Sequence, residues 1–70
     1  MKNIFKVGEK VRWNDPKIND FNEEEREDIL ARIYRVEKIL FRGNRYDQAV
    51  YLISNDFSEA EVYHDELELA

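Results

Sequence analysis

The stretch Val7-Gly8-Glu9-Lys10-Val11-Arg12-Trp13-Asn14-Asp15-Pro16 constrains this chain more than any other. Glycine permits a tight turn, an alternating run follows it, and Asn-Asp-Pro ends the run. Val7, Val11 and Trp13 share one parity while Lys10, Arg12 and Asn14 take the other, the period of two expected of a half-buried strand. Placed this near the N-terminus and followed by further strand-like runs, it predicts a small β-barrel.

The chain has 70 residues and no cysteine, so a single domain is expected, with neither disulfides nor thiolate metal sites to support it. A domain this short buries only about 60% of its unfolded surface. Its core must come from aliphatic side chains and nine aromatics (four Phe, four Tyr, one Trp). A dimer interface would be a natural supplement. No run reaches the ~20 apolar residues of a membrane span, and the first residues lack the apolar stretch of a secretory signal. The expected location is the cytoplasm.

Net charge is −5, which argues against an indiscriminate polyanion binder, yet the charges are segregated. Residues 1–13 carry +3 (Lys2, Lys6, Lys10 and Arg12 against Glu9). Residues 32–45 carry +4 (Arg32, Arg35, Lys38, Arg42 and Arg45 against Glu37). Residues 14–28 sum to −5 and residues 55–70 to −6. These blocks are expected to neutralise one another on adjacent strands.

After Pro16 the spacing of Asn22 and Glu25 suggests a capping box, and Glu23, Glu24 and Glu25 suit a helix N-terminus. A short helix over about 23–31 is predicted, with Ile29 and Leu30 touching the core. Ile33 to Phe41 is rich in β-branched and aromatic residues, but its alternation slips. Tyr34, Val36 and Leu40 share one parity, Ile33, Ile39 and Phe41 the other. A bulge or strong bend reconciles the halves; a continuous helix from Glu23 to Ile39 is the competing reading. Gly43-Asn44 is expected to close a hairpin onto a strand from Tyr46 to Ser54, with Tyr51 and Ile53 on the face opposite Val50 and Leu52. Asn55 to Ser58 then turns into a short strand, Ala60 to His64. A single helical turn at Asp65-Glu66 returns Leu67 and Leu69 to the barrel.

The fold class is therefore mainly β: a small barrel of four to five strands with a short helix inserted after the first. Gly8-Glu9-Lys10-Val11-Arg12-Trp13 resembles the opening strand of SH3-like small barrels of the Tudor, KOW and Sm kind, and Glu59-Ala60-Glu61-Val62-Tyr63-His64-Asp65-Glu66-Leu67 resembles their closing strand, helical turn and return. The chain is also similar to short, uncharacterised bacterial proteins carrying Val-Arg-Trp-Asn-Asp-Pro near the start and Glu-Ala-Glu-Val near the end. The resemblance implies binding of a peptide, a modified side chain or nucleic acid, and one fold hosts many such tasks. The acidic balance departs from typical KOW and Sm nucleic-acid binders, and the 17–28 segment is longer than the first loop of most Tudor domains.

Little in the sequence supports catalysis. His64-Asp65 is the sole conceivable acid–base pair, and neighbours on a strand point to opposite faces; a solvated histidine at a strand end is expected. One histidine without cysteine makes no zinc site, and the acids at 23–28 lack the spaced, glycine-bearing pattern of a calcium loop. No catalytic, cofactor or metal residue is assigned.

Two surfaces remain as binding candidates. Trp13 is expected in the core, whereas Tyr34, Tyr46, Tyr51 and Tyr63 carry polar tips suited to a half-exposed aromatic groove. The function expected is a non-enzymatic module recognising a protein partner, or a second copy of itself, through that aromatic-bearing face. The alternative is single-stranded nucleic acid on Arg32, Arg35, Lys38, Arg42 and Arg45, with Tyr34 and Tyr46 interleaved.

Overall fold

A computed structural model describes residues 4–70; Lys2, counted above in the N-terminal basic block, lies outside them. Five antiparallel strands form one sheet: β1 (Lys10–Trp13), β2 (Ile33–Phe41), β3 (Val50–Ser54), β4 (Glu59–Tyr63) and β5 (Leu67–Leu69). Their order across the sheet is β4-β3-β2-β1-β5. One helix, α1 (Glu23–Ala31), sits in the β1–β2 connection after a 3-10 turn at Ile18–Asp20 that the sequence reading lacks. A second 3-10 turn, His64–Glu66, carries the chain from β4 to β5. The continuous helix is excluded, because Arg32 turns to extended backbone (φ −68°, ψ 136°) and β2 begins.

The parity slip in β2 resolves as two bulges. Val36 pairs with Ile53 but Lys38 with Leu52, and Ile39 pairs with Tyr51 but Phe41 with Val50. Two residues of β2 thus span one step of β3 in each case. Glu37 and Lys38 fall on one face, as do Leu40 and Phe41, which keeps Tyr34, Val36 and Ile39 on the other. Bulges sharpen the twist of a strand, and β2 is the one strand that pairs with both β1 and β3. The curled sheet gathers Val11, Tyr34, Val36, Tyr51, Ile53, Val62 and Leu67, from all five strands, into one core with Ala49. The expected barrel is not closed, because no ladder joins β4 to β5 among the described residues.

The helix keeps its predicted bounds. Asn22 Oδ1 accepts from Glu25 N at 2.9 Å, and Asn22 Nδ2 donates to the Glu25 carboxylate at 3.0 Å. The reciprocity of a capping box is present, although the second bond starts from a side-chain amide instead of the backbone. None of its residues is buried. Ile29 is half-buried and Leu30 exposed, and neither packs against the core cluster, so the expected core contact is corrected.

Three local expectations are corrected. Val7 is 61% exposed, because it sits in the turn before β1 and not on the strand. The hairpin at Gly43-Asn44 is not tight: β3 starts only at Val50, and residues 42–49 form a loop. Asn44 Oδ1 accepts from both Tyr46 N and Asp47 N at 2.8 Å, so the side chain builds a turn that competes with the ladder. Strand β4 begins at Glu59 and ends at Tyr63, one residue earlier than predicted, because His64 opens the 3-10 turn.

Candidate binding face

The bulges decide what the outer face of the sheet presents. Phe41 stands opposite Val50, and Val50 opposite Tyr63, so one row of apolar side chains crosses β2, β3 and β4. Phe41 is 40% and Tyr63 55% exposed. Leu40, the extra residue of the second bulge, is exposed next to them, and Leu52 lies in the following row between Lys38 and Glu61.

Toward β1 the same face becomes cationic. Lys10 pairs directly with Arg35, and Arg12 sits between Ile33 and Glu68. Val36 N donates to Glu9 O at 3.0 Å, which places the Lys10–Arg35 pair at the non-hydrogen-bonded register position, where opposed side chains come closest. Lys10, Arg12, Arg35 and Lys38 are all exposed. Glu37 shares this face, but its carboxylate accepts from Ser54 Oγ at 2.6 Å. The one ion pair among the described residues is Arg32 with Asp28 at 3.4 Å. Mutual neutralisation of the charge blocks is therefore partial: Arg32 with Asp28 joins the 32–45 block to the 14–28 block by an ion pair. On adjacent strands, among the described residues, only Arg12 and Glu68 meet as opposite charges in register, and they form no ion pair.

The tyrosines divide. Tyr34 and Tyr51 are buried core residues, since each shares the inward parity of its strand. Tyr46 is 83% exposed on the β2–β3 loop, where the Arg45 guanidinium lies 5.9 Å from its ring centre. Tyr63 alone of the four lies on the sheet's outer face. The basic set divides similarly. Arg35 and Lys38 join the face, Arg32 ends α1, and Arg42 and Arg45 line a cleft with His64 and Asp65 beneath the β2–β3 loop. Sequence reasoning missed Lys10 and Arg12 as neighbours of Arg35. Their parity was visible, but the register that opposes them was not.

His64 is not the solvated strand end expected. Its Nδ1 lies 2.9 Å from the Tyr51 hydroxyl, which also accepts from Phe5 N at 3.0 Å. The Phe5 ring packs against both, with centroids 5.0 Å from His64 and 5.6 Å from Tyr51. The hydroxyl and Nδ1 share one hydrogen bond, whose direction follows the tautomer of His64. Burial raises the Tyr51 pKa above the ordinary tyrosine range, the Phe5 N–H offsets part of that, and the Glu9 charge adds to it. Asp65 takes no part; its N–H donates to Gln48 Oε1 at 2.8 Å.

A cleft of about 470 Å³ separates α1 from the start of β4, with Trp13, Phe21, Ile29 and Tyr34 among its walls. Trp13 packs edge-on against Tyr34 at 6.0 Å, and its Nε1 is buried without an acceptor. Among the described residues no three or more His, Cys, Asp or Glu side chains cluster to hold a metal ion. No helix there is long and apolar enough to cross a membrane.

Compared with known proteins, the chain matches no protein-family model, no curated protein and no solved structure.

Proposed function

We propose that the chain is an SH3-like small-barrel module without catalytic activity that recognises a protein partner through the outer face of β2, β3 and β4. The supporting observation is the exposed Phe41–Val50–Tyr63 row. Three apolar side chains in register on a solvent-facing surface carry a hydration cost that a partner relieves, and aromatic residues dominate the energetics of such contacts. The strand order, with β2 shared between two halves around one core, suits the SH3-like assignment.

The test is affinity capture from the source cell's lysate with nuclease present, comparing the wild-type chain with Phe41→Ser and Tyr63→Ser. A protein recovered by the wild type and lost with both variants is the expected result. Recovery indifferent to both variants removes this face from consideration.

One observation favours a second reading. Lys10, Arg12, Arg35 and Lys38 hold positive charge together without a carboxylate within 4.0 Å among the described residues, and single-stranded nucleic acid suits such a surface. Recovery that depends on nucleic acid, with an affinity falling steeply in salt, puts it first.

A further inference from the structure

We infer that the outer face of β1 and β2 is a track for an extended acidic peptide segment, whose carboxylates meet Lys10, Arg12, Arg35 and Lys38 and whose apolar side chains meet Phe41. The inference rests on the protein-binding reading above and names the chemistry of the partner.

Like charges placed directly opposite on paired strands oppose folding. Lys10 and Arg35 occupy such a pair at the register position of closest approach. The chain has 16 acidic residues, yet none among the described ones forms an ion pair with Lys10, Arg12, Arg35 or Lys38. No ion pair among the described residues relieves the repulsion, and an anionic partner relieves it on binding.

The width of the track selects among anions. The cations lie on two adjacent strands, roughly 5 Å apart. Glu68 on β5 bounds them on one side, and Glu59 and Glu61 on β4 bound the face on the other, beyond the neutral Ser54 and Leu52 of β3. A polyanion spreading sideways meets these acids, whereas one extended peptide keeps to β1 and β2, where the one carboxylate on the face, Glu37, is engaged by Ser54. In an extended peptide, side chains of one face recur about every 7 Å, the repeat that separates Lys10 from Arg12. The Phe41–Val50–Tyr63 row continues the face where the cations stop, so acidic and apolar residues are both wanted in the segment.

The experiment titrates the full chain with a labelled, capped peptide of alternating glutamate and leucine. Its glutamine counterpart and a single-stranded oligothymidylate of matching length serve as comparisons. The glutamate peptide should bind saturably, and about tenfold or more tighter than the glutamine peptide. The discriminating variant is Lys10→Glu, which turns a repulsive pair with Arg35 into an attractive one. It should melt at a higher temperature than the wild type while binding the peptide about tenfold more weakly. A structural defect moves both readouts together; this inference requires them to move apart. Equal binding of the glutamate and glutamine peptides, undiminished binding by Lys10→Glu, or tighter binding of the oligothymidylate overturns it. Capture of a lysate protein that is lost with Phe41→Ser but kept by Lys10→Glu overturns the acidic partner alone and leaves the protein-binding face standing.

Discussion

The Tyr51 hydroxyl lies 2.9 Å from His64 Nδ1, across 13 positions of sequence, and it fastens the chain before β1 to the end of β4 by accepting the Phe5 N–H. Tyr51→Phe preserves the packing and removes both bonds, so it should cost about 1–2 kcal/mol at neutral pH. The alkaline limb has a definite sign. The Tyr51 pKa is raised in the folded state, so its contribution is whole below about pH 10 and is lost as pH climbs through the folded value. Denaturant unfolding of both proteins along a pH series should show the wild-type advantage shrinking above about pH 10. A constant gap would contradict the assignment.

His64→Ala removes the other half of this contact and a ring packed on Phe5. It should lower stability by about 1–2 kcal/mol while leaving any partner affinity measured on the outer face unchanged. Chemical denaturation alongside a binding titration checks both parts.

Trp13 is half-buried against Tyr34 with its indole nitrogen inaccessible. Trp13→Ala should cost about 3 kcal/mol or more, a large share of what holds a domain this small together. The native emission, from the chain's single tryptophan, should lie blue of the unfolded protein's. A spectrum unchanged on unfolding would be inconsistent with this environment.

Asn22→Ala removes the cap of a helix that buries none of its residues. The loss, about 1 kcal/mol, should fall on α1 alone. Hydrogen exchange should speed up from Glu25 through Ala31 while the amides of β2 and β3 keep their protection.

Gly43 and Gly8 both hold positive φ, +86° and +92°. A Cβ at Gly43 would stand 3.0 Å from Ala49 N, whereas at Gly8 it meets nothing within 4 Å. Alanine at Gly8 should cost about 1 kcal/mol from backbone strain, and at Gly43 measurably more. The two melting temperatures order the variants.

What the sequence disclosed depended on whether the signal was local. The cap at Asn22, the bounds of α1, the need for a bulge in β2 and the shared parity of Tyr51 and Ile53, though not that it faces inward, rest on residues within a few positions of each other. They were legible for that reason. The long β2–β3 loop was not, because the Asn44 side chain competes with the ladder only once Tyr46 and Asp47 fold back toward it. The opposition of Lys10 and Arg35 depends on register between strands more than 20 positions apart, information that no pattern in either segment contains. Tyr34 and Tyr63 carry the same chemistry, and only the three-dimensional curl of the sheet sends one inward and the other out.

The pairing of Arg12 with Ile33 brings Trp13 and Arg32 together as the next step along the same two strands. Everything between them leaves the sheet and returns to almost the same point. Residues 15–31 therefore form an insert whose ends are fixed by the β1–β2 ladder and by Asn14, whose N–H donates to Glu66 O at 2.7 Å, and its length and composition can change without displacing β1 against β2. The lineage of such a chain is free to remodel the side bearing α1 while the opposite side, set by strand register, stays fixed. Variation among descendants should accordingly gather in that segment long before it reaches Lys10, Arg35 or Phe41.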